Sequence, residues 1–346
     1  MRRVLIGLLV VLLALGAADT LAWTWATRRM ETRYAAWTRA QRAAGWTIHA
    51  GAPRRSGWPL AATLIIAHLH LSRAVVGAPG HLSWRTARLR LSLPLGWPPR
   101  LLVQPEGAQT LRPALRPPVP YRADLLRLTL PLSLHGGPRG VRLRLRGLVA
   151  GLPPQRLRIG FATLRLDRSA RGGTLRFAAR AQRIVLPRDR HWPLGRRIAA
   201  LAGHGTLTGA VPPAGDLWRR AAIWQASGGR LRLRQVALRW GPLTASLDAT
   251  IGLAPGLDLR GHGQAMVQGY DRALDLMAAN RAVTPDAAVA AKAALSVLAQ
   301  APGGHAGGPV TIPFVLHRGR LLVDGMPLLR LPPIGALAVP AIRPPG

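Results

Sequence analysis

Val141-Arg142-Leu143-Arg144-Leu145-Arg146 alternates strictly between aliphatic and cationic side chains. Successive residues of a β-strand point to opposite faces, so this stretch sets three Arg on one side of a sheet and Val141, Leu143 and Leu145 on the other. The pattern recurs at Arg88-Leu89-Arg90-Leu91, Arg156-Leu157-Arg158-Ile159 and Arg230-Leu231-Arg232-Leu233-Arg234. Further strands are expected over Leu60 to Leu71, Asp124 to Leu134, Gly173 to Ile184, Ile198 to Thr208, Leu243 to Leu253, Leu257 to Val267, Val310 to His317 and Arg320 to Leu329. Pro and Gly punctuate them, as in Leu152-Pro153-Pro154 and Ala254-Pro255-Gly256.

Helical segments interrupt this rhythm. Asp216 to Ala226 opens on Asp as a candidate N-cap, Asp271 to Ala279 is short and amphipathic, and Thr284-Pro285-Asp286 offers a cap followed by Pro at the first helical position. Helical insertions are therefore expected near 216–226 and 271–299. Seven prolines in and beside Pro105 to Pro120 predict an irregular connection over Arg100 to Tyr121, and Gly303 to Gly308 and the tail from Pro332 read as loops. The fold class expected is mainly β with some α: a large twisted antiparallel sheet or open β groove, preceded by an amino-terminal membrane helix.

That helix is read from the first residues. Met1-Arg2-Arg3 is a short basic start, and Val4 to Ala18 is an uninterrupted apolar run. A cleaved signal peptide would use Val4 to Leu15 as its apolar region and Gly16-Ala17-Ala18 before the cut. An uncleaved signal anchor would use Val4 to Ala26, long enough to span a bilayer, with Trp23 and Trp25 in the interfacial belt. Asp19 opposes the second reading, because a charge at that depth is costly. The helical pattern runs on to Gly45, a candidate C-cap, which favours the anchor. The domain reading is a membrane segment over 1–26, an amphipathic continuation over 27–45, and a β-rich envelope domain over 46–346.

The formal charge is +35, and Lys292 is the only lysine. The Arg-, Ala-, Gly-, Pro- and Leu-rich composition is what GC-rich coding yields, so part of the charge has a codon origin. The acid scarcity is real: 13 Asp and Glu in all, with Glu only at Glu31 and Glu106. Such a surface favours anionic partners. The chain has no Cys, which excludes disulfides, thiolate metal sites and a cysteine nucleophile.

Motifs for chemistry are sparse. His68 and His70, two apart on a strand, would share a face, but a zinc site needs three or four ligands. Asp271 and Asp275 fall on one helix face and read as a solvated counter to the Arg excess. No GxSxG, P-loop or dinucleotide fingerprint is present, and Gly261-His262-Gly263 lacks the third Gly and the following helix. Hence no catalytic residue, cofactor or metal is expected. The Arg rows Arg88/Arg90, Arg142/Arg144/Arg146 and Arg230/Arg232/Arg234 are the candidate contacts to anionic head groups, since Arg binds phosphate bidentately. The opposing reading is an ordinary half-buried sheet whose polar face coding bias has filled with Arg.

The order of features resembles an uncharacterised proteobacterial envelope family catalogued as domain of unknown function 2125. The resemblance rests on Tyr34 and Trp37 in the helix after the membrane segment and on the Gly57-Trp58-Pro59 turn that opens the β body. Trp240-Gly241-Pro242-Leu243 after an Arg-Leu strand and the closing Asp324-Gly325 hairpin complete it. More remotely the layout is similar to the AsmA-like envelope proteins, anchored β-rich chains implicated in moving or organising lipid. The resemblance implies no catalytic residues. It implies an inner-membrane protein with its body in the periplasm, binding or moving lipid through an apolar sheet face. The alternative is an assembly factor that docks on envelope proteins without lipid. Specific nucleic-acid binding is not expected. The Trp58 ring is expected to cover the end of the sheet.

Overall fold

The computed structural model describes residues 2–74, 81–94, 96, 98–114, 117–132, 140–169, 173–210, 212, 217–299, 308–323 and 325–330. Their backbone divides into two units, residues 1–156 and 157–346.

The first unit opens with one continuous helix, α1 (Arg2–Ala43). It ends as the sequence requires: Trp46 N–H donates to the Gln41 carbonyl at 3.0 Å and Gly45 N–H to the Arg42 carbonyl at 3.0 Å. These are the paired bonds of a Schellman cap, and they satisfy carbonyls the helix leaves open. The expected division at 26 is not a break in the chain. The expected membrane span is also corrected: among the described residues no helix is long and apolar enough to cross a membrane. The physical reason lies in the part of α1 whose side chains are described, from Gly16 on. Asp19, Arg28, Arg29, Glu31 and Arg33 charge it within a few turns. The side chains of Val4 to Leu15 lie outside the described residues.

Eight strands follow: β1 (Thr47–His49), β2 (Arg54–Ser56), β3 (Ala61–Ala74), β4 (His81–Pro94), β5 (Arg100–Arg112), β6 (Val119–Arg122), β7 (Leu125–Pro131) and β8 (Gly140–Ala150). All pair antiparallel. β1 and β2 both lie on β3, β4 and β5 follow in turn, β6 and β7 share the far side of β5, and β8 pairs with both.

The irregular connection expected over Arg100 to Tyr121 is a 13-residue strand, β5, followed by β6. Proline is tolerated because β7 pairs only with Arg100 to Val103 and β6 only with Gln109 to Leu111. Pro105 sits in the gap, where no neighbour on that side asks for its missing N–H.

The unit's core is Ile48, Ile66, Leu69 and Leu89, with Tyr34 of α1, Trp46, Trp84, Leu91 and Val103 packed around them. Ile66 and Leu69 are both buried although three apart. His68, at φ 50°, inverts the alternation between them. His68 and His70 therefore do not share a strand face, contrary to the two-residue rule.

The Gly57-Trp58-Pro59 turn also departs from expectation. Ala61 N–H donates to the Gly57 carbonyl at 2.9 Å. Gly57 has φ +91°, and a Cβ there would lie 2.6 Å from the Ala61 carbonyl oxygen. Trp58, by contrast, is exposed rather than buried over the end of the sheet. Gly57→Ala will therefore lower stability by at least about 1 kcal/mol, through strain and collision together. Trp58→Ala will leave the thermal midpoint nearly unchanged, and a melt of the two variants side by side checks both.

The second unit contains β9 (Leu157–Arg168), β10 (Thr174–Val185), β11 (Arg197–Thr208), α2 (Leu217–Ala226), β12 (Arg230–Trp240), β13 (Leu243–Leu253) and β14 (Leu259–Gln268). It continues with α3 (Tyr270–Ala279), α4 (Pro285–Ala299), β15 (Val310–His317), β16 (Arg320–Val323) and β17 (Met326–Arg330). From β9 to β17 each strand pairs antiparallel with the next. The strand expected over Arg320 to Leu329 is a pair of antiparallel strands, β16 and β17, and Asp324 of the expected closing hairpin lies outside the described residues.

α3 and α4 form the expected helical insertion. Thr284 Oγ1 accepts from Ala287 N–H at 3.2 Å, which caps α4. Lys292 Nζ bonds Asp275 Oδ1 at 2.5 Å and ties the helices together. Their apolar sides enclose a second core of Tyr270, Ala299 and Val310 with Val267, Leu274, Leu295 and Ile312. Trp240 of the Trp-Gly-Pro-Leu stretch is fixed by its indole, which donates to the Gly195 carbonyl at 2.7 Å. The Asp216 cap, the 303–307 loop and the tail from 332 lie outside the described residues.

Candidate functional site

The strand registers decide which side chains share a face, because residues directly opposite in an antiparallel ladder point the same way. In the first unit Leu64 lies opposite Leu91, Leu91 opposite Val103, Val103 opposite Leu128 and Leu128 opposite Leu143. This is one aliphatic row across β3, β4, β5, β7 and β8. It is fully buried at Leu64 and half-buried at Leu91, Val103, Leu128 and Leu143. The α1 packing that covers the row falls on β1 and β3.

The other face carries the Arg rows. Arg88 lies opposite Glu106, Arg90 opposite Gln104, Arg127 opposite Arg144 and Thr129 opposite Arg142. The structure thus brings Arg88, Arg90, Arg142, Arg144 and Arg146 onto one side of one sheet, as the alternation implies. It adds Arg127, which sequence reading passed over although Leu126-Arg127-Leu128 has the same period.

The rows are not equivalent. Arg90 Nε stands 2.8 Å from Glu106 Oε1 and Arg88 Nη1 stands 3.8 Å from Glu106 Oε2. With its amide oxygen turned toward Arg127, Gln104 accepts from Arg127 Nε at 3.1 Å. Arg142, Arg144 and Arg146 are exposed, and among the described residues none of them has an ion-pair partner.

The second unit repeats the segregation. Phe177, Gly205, Leu233, Ala249, Gly263 and Phe314 occupy successive opposed positions on the aliphatic face. A Cβ at Gly205 would lie 2.6 Å from the Phe177 ring, so the glycine leaves room for it. On the opposite face Arg230, Arg232 and Arg234 lie across from Thr208, Thr206 and His204. Irregular register between Ala202 and His204 and between Leu233 and Val236 opens a groove of about 640 Å³ beside these Arg. Arg232, Arg234, His204, Thr250, His262 and Gln264 line it. Asp248 Oδ1 accepts from Gln235 N–H at 3.0 Å, which pins the bulge. The sequence gives His204 and His262 no shared role, because only the strand pairing places them beside the Arg.

The remaining sites read from the sequence take structural roles. Asp275 serves Lys292. His70 stacks on His49 with ring centroids 6.1 Å apart. Among the described residues no group of three or more His, Asp or Glu is placed to hold a metal ion.

Burial first, then Arg85 and His49, hold the His70 imidazole below its ordinary value of 6.5. The unfolded chain thus takes up this proton at higher pH than the folded one. Stability is full above 6.5 and declines as pH falls from there through the lower folded value. The thermal midpoint will be lower at pH 5 than at pH 7, and His70→Gln will narrow that gap. Glu31, held below 4.5 by the hydrogen bond and charge of Arg55, acts only in more acid solution.

A model of the family described as "Uncharacterized protein conserved in bacteria (DUF2125)" matches residues 23–332. The chain belongs to that family. No curated protein and no solved structure matches it significantly.

Proposed function

We propose that this member of the family is a non-enzymatic, membrane-attached envelope protein that binds lipid and helps move or organise it. The observation that carries the reading is the row Leu64–Leu91–Val103–Leu128–Leu143, buried under α1 at one end and continuing half-buried across the sheet. An aliphatic surface of this kind takes acyl chains in the manner of an open groove. The Arg face suits anionic head groups, because guanidinium pairs with phosphate bidentately. The apolar run from Val4 supports attachment of α1 to the inner membrane, and in this reading the body lies on the periplasmic side.

Native mass spectrometry of the full chain released from mild detergent tests the reading. Retained phospholipid supports it. A chain free of lipid that instead brings down stoichiometric envelope proteins points to an assembly factor.

A further inference from the structure

Among the large apolar side chains that stand in solvent in the first unit are Leu21 at 70%, Trp25 at 63%, Trp58 at 57% and Leu60 at 78% exposure. They occupy one level of α1. The Trp23 indole donates to the Ala61 carbonyl at 3.1 Å, which fastens the Gly57–Leu60 turn beside the helix at that point. Trp23 and Trp25, two residues apart, point to nearly opposite sides of the helix. The turn with Trp58 and Leu60 thus flanks α1 on the Trp23 side, and Leu21 and Trp25 flank it on the other.

The chain on either side of this level differs in kind. The apolar run of Val4 to Ala18 precedes it, and Arg28, Arg29 and Arg33 follow it. Arg29 lies over the Trp25 ring at 5.3 Å. Exposed Trp and Leu between an apolar segment and a cluster of Arg is the composition of a lipid–water interface, where an indole meets acyl chains and head groups together.

We infer that Leu21, Trp25, Trp58 and Leu60 form a collar that seats the first unit in the head-group layer of an anionic bilayer. This rests on the membrane attachment proposed above. It adds that the body touches the membrane through the β3-side turn as well as through α1, with Arg28 and Arg29 meeting lipid phosphates. The collar fixes which end of the sheet faces the bilayer: β3 runs from Ala61 beside the collar to Ala74, about 43 Å away at a strand's rise per residue.

The chain has no Cys, so single substitutions can be labelled without background. Trp58→Cys, Leu60→Cys and, from the far end of the β3–β4 ladder, His81→Cys are each made in the full chain. Each variant carries an environment-sensitive fluorophore and is reconstituted with vesicles of equal parts phosphatidylcholine and phosphatidylglycerol. Flotation is read first, then quenching. The expected result is flotation of all three, with labels at 58 and 60 blue-shifted and losing most emission to a lipid-borne nitroxide. The label at 81 is instead quenched by aqueous iodide. Flotation with all three labels quenched only from water overturns the collar while leaving attachment intact. Failure to float overturns the attachment and the collar with it.

Discussion

Replacing Arg142, Arg144 and Arg146 together by Gln will weaken binding of the protein to anionic vesicles by up to about 3 kcal/mol at low salt, roughly two decades in affinity. Each cation close to an anionic surface contributes about 1 kcal/mol, and the attraction fades beyond a Debye length. The three lie on one face of β8, exposed and without carboxylate partners among the described residues. Arg88 and Arg90 are already shared with Glu106, so the double Gln variant there will lose less. Vesicle sedimentation across a salt series checks both, with neutral vesicles as reference. Unchanged binding of the triple variant would show that the row faces away from lipid and that coding bias accounts for it. Low-salt DNA binding through phosphates is also expected of so basic a face, without sequence preference and falling steeply with salt.

Ile66→Ala will cost about 2 to 5 kcal/mol, the range for truncating a fully buried aliphatic side chain. Ile66 is completely buried, and it joins Ile48, Leu69 and Leu89 in the cluster that receives Tyr34 of α1. No small movement of α1 can refill the space, because the helix is fastened through the Trp23–Ala61 hydrogen bond and through the Arg55–Glu31 ion pair at 2.6 Å. Leu60→Ala, six residues earlier in an exposed turn, will fall within about 0.5 kcal/mol of the parent. Urea unfolding curves separate the two, with the midpoint moving and the slope held.

The strands were largely legible because alternation is a local signal. β13 and β15 run over the very residues read from the sequence, and the Arg-Leu repeats all became strands. What failed was non-local. Pro105 breaks a strand only if a neighbour pairs on the side its missing N–H would face, and the gap between β6 and β7 is a property of pairing that no window of sequence displays. The side on which His70 lies depends on one positive φ at His68. Trp58 looked like a cover for the sheet because large aromatics usually bury. Gly57, the small residue of the same turn, is the one the geometry requires. The two-faced surface was legible as a pattern, but its differences were not: Glu106 neutralises one Arg row and leaves another free, and the groove beside His204 and His262 exists only where two register irregularities meet.

If the aliphatic face of the first unit carries lipid, a reactive side chain placed on it will meet acyl chains in the cell. The most direct measurement places a photoactivatable benzophenone side chain at Leu128, on that face, and separately at Arg127, its neighbour on the opposite face, in full-length protein within living cells. After irradiation, mass spectrometry identifies the adducts. Acyl-lipid adducts are expected at position 128 and not at 127. Protein adducts alone at position 128, with no lipid attached, would contradict it.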